Sequence, residues 1–204
     1  MYSPGYYKEE RFDLIQQLIS EYSFATVLTE GNTDLISHLP AQLVMNESGR
    51  PELLSHCARA NPHWQDLKRV GRAKLLFHGP HGYISPAWYP PKKDNVPTWN
   101  YAVVHVKGNF EIVEEPSAVG DLMSRFVNHF ETAYETGWEL PVHENAITQL
   151  MKGIVVFKVT GLEFEAKFKL SQKLEVSTRE GVIQSLGDSE LADYMKKTRS
   201  KESP

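Results

Sequence analysis

At 204 residues, 41% hydrophobic and 24% charged, the chain is long enough to bury a sizeable core and has the composition of an ordinary globular domain. A formal net charge of −4 argues against bulk attraction to nucleic acid. A single cysteine, Cys57, excludes an internal disulfide and any multi-cysteine metal site.

No apolar run approaches bilayer length, and Met1 to Asp13 lacks a basic-then-apolar signal pattern, so the expectation is a cytoplasmic protein with no membrane segment. Phe12, Ile15, Leu18, Ile19 and Tyr22 fall at helical spacing and predict an amphipathic helix over 8–22. Phe24–Thr29 reads as a strand turning at Gly31-Asn32, with further strands over Leu39–Met45 and Glu52–Ala58. Asn61 caps a short helix that opens with Pro62 and stops at Gly71. A strand over Lys74–His78 follows, and then Thr98–Lys107 and Asn109–Val113 read as a hairpin around Gly108.

Ser117 caps a longer helix in which Val119, Leu122, Met123, Phe126, Phe130 and Tyr134 make one apolar stripe, and a shorter helix covers 143–152. Ile154–Val159, almost continuously apolar, pairs with Leu162–Leu170, which alternates strictly. Ser177-Thr-Arg-Glu180 has capping-box spacing and opens a C-terminal helix, with a second short one from Asp188. About seven strands with hairpin links predict an antiparallel barrel with helices at its ends. No repeat or composition shift marks a boundary, so a single domain over 1–204 is expected, with a C-terminal helical segment about 177–200.

The stretch from His78 to His105 concentrates Tyr83, Trp88, Tyr89, Trp99 and Tyr101 among Ser85, Thr98, Asn100 and three histidines. Gly79, Gly82, Pro80, Pro86, Pro90, Pro91 and Pro97 interrupt it. Aromatic planes beside small hydrogen-bonding groups suit a flat, polar ligand. Common catalytic signatures are absent: there is no Gly-x-Ser-x-Gly elbow, P-loop or Gly-x-Gly-x-x-Gly.

His56 and Cys57 are neighbours on a strand and point to opposite faces, so Cys57 reads as a small buried hydrophobe. His78 and His81 read as turn histidines lining a pocket or facing solvent, and no metal site is expected. His38, His63, His129 and His143 read as surface or satisfied histidines, and His105 as a packing residue of core or interface. In His56–Pro62 a strand ends, Arg59 follows and a helix starts. That arrangement suits a phosphate, and equally a plain cap with a surface ion pair. Lys167–Gln172 by itself reads as a solvated strand face, and Lys196, Lys197, Arg199 and Lys201 as a solvated basic tail.

Together these stretches resemble the PaiB-type family of FMN-binding negative transcriptional regulators. The likeness runs through Met1-Tyr-x-Pro4, Phe24-Ala-Thr26, His38-Leu-Pro40, His56-x-Ala-Arg-Ala-Asn-Pro-x-Trp64 and Phe77-x-Gly-Pro80. It continues in Tyr83-Ile-Ser-Pro-x-Trp-Tyr89, Val96-Pro-Thr-Trp-Asn-Tyr-Ala102, Val104-His105 and Lys167-Phe-Lys-Leu-Ser-Gln172. It departs where Lys173 and Leu174 replace the family's Asn-Arg, and where Val156 stands at a common glycine.

The resemblance implies an α+β, mainly β fold: an antiparallel, Greek-key-like split β-barrel with peripheral helices, paired as a homodimer around FMN. It places Arg59, Ala60 and Asn61 at the phosphate, and Tyr83 and Ser85 near the phosphate or the isoalloxazine edge. Trp99 and Asn100 would border the ring, and Lys169 and Gln172, from the same or the partner chain, would bond phosphate or ring carbonyls. Direct DNA binding is not supported by the acidic charge or by any helix-turn-helix. The residues leave two further readings open. One is an FMN-dependent oxidoreductase, flavin- or nicotinamide-linked, acting on a small molecule. The other is a flavin or haem carrier using His78, His81 or His105.

Overall fold

The computed structural model describes residues 1–90 and 95–198; Pro91, Arg199 and Lys201 lie outside them. The strands are β1 (Lys8–Glu9), β2 (Phe24–Thr29), β3 (Asn32–Met45), β4 (Pro51–Ala58), β5 (Arg72–Ile84), β6 (Thr98–Ile112) and β7 (Ile154–Lys169). The α-helices are α1 (Phe12–Glu21), α2 (His63–Val70), α3 (Pro116–Ala133), α4 (Asn145–Met151), α5 (Val176–Leu186) and α6 (Glu190–Lys197). The sheet order is β1-β7-β4-β3-β2-β5-β6, and β6 also pairs with β7. That second pairing closes β7-β4-β3-β2-β5-β6 into a ring. The β2–β3–β4 meander is flanked by β5 and β7, a Greek-key-like order.

The chain divides into two compact units. One comprises Met1–Glu21, His78–His105 and Glu165–Pro204; the other comprises Tyr22–Phe77 and Val106–Phe164. Strands β5, β6 and β7 run through both.

In the second unit, the middle of β4 (Leu53–Ser55) and the start of β7 (Val155–Phe157) are buried on both faces, which is why Ile154–Val159 is almost continuously apolar. Leu53, Ser55 and Cys57 alternate inward with Val155, Phe157 and Val159. On the opposite face, Leu54 and Val156 pack with Leu122, Met123 and Phe126 of α3. Val119 and Phe130 extend that contact, so the predicted stripe is the buried one, except that Tyr134 caps the helix and is exposed. Each large side chain buried there contributes about 2 kcal/mol. In the first unit, Ile15, Leu18 and Ile19 of α1 are buried, as are Phe168 of β7, Val182 of α5, and Leu191 and Met195 of α6.

Both expected hairpins are instead single long strands. β6 passes straight through Gly108 because a Cβ there would lie 2.5 Å from Thr160 O and 2.7 Å from Val159 Cγ1. The glycine therefore admits a neighbouring backbone and does not make a turn. β7 passes Gly161 at φ +60°, a kink within the strand. The same reason carries β5 through His78-Gly-Pro-His-Gly82. A Cβ on Gly79 would lie 2.8 Å from Leu18 Cδ1, and one on Gly82 2.9 Å from Leu191 Cδ2. His78 and His81 are thus exposed strand residues, not turn residues.

Caps shift as well. Glu115, not Ser117, caps α3, its carboxylate accepting from Ala118 N at 2.8 Å with Pro116 at the first helical position. Helix α5 starts at Val176 with Glu175 at the N-cap position and no side-chain cap, so Ser177 of the expected capping box lies inside the first turn. Helix α1 starts at Phe12, since Lys8–Glu9 pair with β7 as a short strand.

Candidate functional site

In the second unit, β4 ends at Ala58 and α2 begins at His63, and the connecting turn carries Arg59, Ala60 and Asn61. Arg59 is exposed at this turn, yet its guanidinium is fixed: Nε donates to Lys152 O and Nη2 to Ile154 O, each at 2.8 Å. Its backbone N–H donates to Gly153 O at 2.7 Å, and its carbonyl accepts from Trp64 Nε1 at 3.0 Å. These contacts hold the fork in place while leaving other N–H donors of the five available. Ala60 is exposed beside it.

Asn61 works inward. Its Oδ1 accepts from His63 N, and its Nδ2 donates to Ser37 Oγ, both at 3.0 Å. The helix opens one residue later than expected, at His63, but Asn61 still satisfies its first N–H. Arg59 also borders a cavity of about 470 Å³. Its walls include Val113, Val119, Met151 and Val156, and its rim Trp64, Lys68, Glu114 and Lys152. Lys68 and Lys152 gave no sequence signal, because only the fold brings them beside Arg59.

The first unit holds the remaining predicted residues. Tyr83 and Trp99 are large aromatics left open, 48% and 55% exposed, with centroids 6.2 Å apart at 75°. Lys169 Nζ donates to Trp99 O at 2.6 Å and to Thr98 Oγ1. Partial burial, with Lys167 nearby, holds its ammonium below the usual lysine range.

Asn100 is 1% exposed; its Nδ2 donates to Ser171 Oγ at 2.9 Å, and the hydroxyl returns to Oδ1 at 3.1 Å. Gln172 folds back on its own strand end, accepting from Leu170 N at 2.8 Å and donating to Phe168 O. Ser85 accepts from Ala87 N at 3.2 Å and caps a single 3₁₀ turn. Asn100 therefore ties β6 to Ser171, just past the end of β7, while Gln172 braces the end of β7 itself. Lys167 is not a solvated-face residue. It is 7% exposed, donates to Tyr2 O at 3.0 Å, and lies over the Tyr2 and Tyr101 rings.

Several candidate groups are chemically quiet. Cys57 is buried, and burial pushes its thiol up to about 11. His56 stacks edge-on against Phe126 at 5.2 Å, and burial holds it below the usual histidine range. Among the described residues no group of three or more His, Cys, Asp or Glu could hold a metal. In α6, Lys196 pairs with Asp193 at 2.8 Å and Lys197 with Glu21 at 3.6 Å.

A closed antiparallel ring with peripheral helices and a flanking β1 defines a split β-barrel. The chain belongs to the family described as "Putative FMN-binding domain", matching it over residues 1–160, and FMN is the cofactor of that family. It is 30% identical over 194 residues to protease synthase and sporulation protein PAI 2 of Bacillus subtilis, covering 93% of this chain and 91% of that one. It is 42% identical over 82 residues to an uncharacterized protein of Saccharomyces cerevisiae, covering 39% and 48%.

Among solved structures it is similar to the FAD and heme binding protein from Mycobacterium smegmatis, with TM-score 0.58 and 14% identity, covering 79% of this chain and 73% of that one. A conserved hypothetical protein from Mycobacterium tuberculosis gives TM-score 0.58 and 15% identity over 86% and 94%. These two likenesses concern the fold alone. Each unit by itself carries groups of a kind that FMN can use: an anchored guanidinium at a helix start in one, and open aromatic faces beside an ammonium in the other. No helix among the described residues is long and apolar enough to cross a membrane.

Proposed function

We propose that this protein binds FMN as a homodimer and acts in negative regulation. The observation that carries the reading is the pair of open aromatic faces, Tyr83 and Trp99, with the Lys169 ammonium held beside them by hydrogen bonds. Arg59 and the Asn61 turn would take the phosphate, with Ala60 leaving the approach unobstructed. Trp99 and Tyr83 would border the isoalloxazine, and Lys169 would donate to its polar edge. Asn100 and Gln172 would act beneath them by holding the strand ends, and Ser85 by shaping the chain after Tyr83.

Bound FMN supplies redox chemistry. The side chains' own work is to bind and orient it. Regulation is read as not depending on a basic DNA-docking helix, because both described lysines of α6 are ion-paired with carboxylates. We take the two units as one domain, because three strands run through both.

Titrating FMN into the protein and following flavin fluorescence tests the core of the reading. Quenching at one flavin per chain, with a dimer mass by light scattering, is expected. Unchanged fluorescence at saturating protein overturns it. A gel-shift series and a nicotinamide-oxidation assay on the flavin-loaded protein separate regulator from oxidoreductase.

A further inference from the structure

The hydrogen bonds around His63 fix their own directions. Because the His63 backbone N–H donates to Asn61 Oδ1, the amide nitrogen is the end of Asn61 that faces Ser37, and it donates to Oγ. Ser37 Oγ, having accepted that N–H, has His63 Nδ1 at 2.8 Å as the acceptor for its own proton, so the neutral ring carries its proton on Nε2 and donates to Thr29 Oγ1 at 3.2 Å.

Thr29 is 1% and His63 2% exposed, and burial holds the imidazole neutral. Its Nδ1 is then a bare acceptor, to which Ser37 Oγ–H donates at 2.8 Å. The chain runs Asn61 to Ser37 to His63 to Thr29, with the Ser37 hydroxyl giving one proton and taking one. It closes on itself through the backbone bond from His63 to Asn61.

We propose that His63, as the Nε2–H tautomer, is the positioning residue that makes the Arg59–Asn61 turn selective for a phosphorylated flavin over its unphosphorylated form. This rests on the reading that the turn takes the FMN phosphate. An asparagine without these partners samples several rotamers and both amide flips, and ordering it would oppose binding. The closed cycle orders it beforehand and fixes the backbone that presents Arg59 and Ala60. Its effect falls on the phosphate end alone, so riboflavin, which lacks the phosphate, does not sense it.

The test compares FMN and riboflavin affinities of wild type, Ser37→Ala, His63→Phe and Arg59→Ala by flavin fluorescence. Ser37→Ala and His63→Phe are expected to weaken FMN about tenfold and leave riboflavin unchanged. Ser37→Thr, which keeps the hydroxyl, restores FMN affinity. Nitrogen-15 NMR of the wild-type imidazole is expected to show Nε2–H, and this needs no variant to fold.

Equal weakening of both flavins overturns the inference, because it marks general support of the fold. So does a Nδ1–H tautomer, or unchanged affinities in both relay variants while Arg59→Ala loses the preference for FMN. If Arg59→Ala keeps that preference, the phosphate reading fails and the inference with it.

Discussion

The turn from Arg59 to Trp64 and the face carrying Tyr83, Trp99 and Lys169 solve opposite problems. At the turn every polar side chain is held by protein partners: Arg59 on two carbonyls, Asn61 and His63 in a closed cycle, Trp64 on the Arg59 carbonyl. At the face the large apolar surfaces are open, and the order lies underneath, in the Asn100–Ser171 pair and the folded-back Gln172. The difference teaches how each recognises a ligand. A charged group needs its partner fixed and dry on the far side, where a wrong orientation costs a full hydrogen bond. An aromatic plane needs area, which tolerates small displacements.

The largest effects should come from breaking the frames beneath the two regions. Gly108→Ala places a Cβ against Thr160 O and should destabilise by about 3 kcal/mol, read as a lower urea midpoint; an unchanged midpoint would show that β6 and β7 do not approach as described. Arg179→Met should cost a similar amount, about 3 kcal/mol, because Leu170 O, Met195 O and Thr198 O lose a buried donor. A single transition in both variants, by fluorescence and circular dichroism alike, is expected if the two units unfold as one domain.

Next in size is the split between the regions themselves. Trp99→Ala should weaken FMN and riboflavin alike, about tenfold or about 1.4 kcal/mol, whereas Arg59→Ala should weaken FMN alone. Equal responses to the two substitutions would erase the distinction.

The smallest effect is a pH dependence. The Cys57 thiol, raised from 9.0 to about 11 by burial, contributes stability that is complete below pH 9 and is lost as pH rises through 11. Between pH 8 and pH 10 wild type should lose about 1 kcal/mol more than Cys57→Val, by urea denaturation. Equal losses would mean the thiol is not desolvated in the folded state.

The turn was legible in the residues because its signals are local. Arg59, Asn61 and Pro62 sit where a strand stops and a helix starts, and capping chemistry acts within three residues. The open aromatics were legible as well, since Trp99 and Tyr83 among glycines and prolines do not read as an ordinary core. His63 was legible only as a satisfied histidine. Its partners Thr29 and Ser37 lie 34 and 26 residues away, and nothing local announces a relay. Lys167 looked solvated by alternation, and the N-terminal segment covers it.

The sequence by itself determined the helices and most of the strands, the apolar stripes, the family and the kind of cofactor, because periodicity and motif order are properties of neighbours along the chain. The tertiary structure decided that Gly79, Gly82 and Gly108 lie within strands, that Glu115 caps α3, and which hydroxyl answers which nitrogen around His63. A glycine that turns and a glycine that admits a neighbour are the same residue. Only the atom 2.5 to 2.9 Å from the missing Cβ tells them apart.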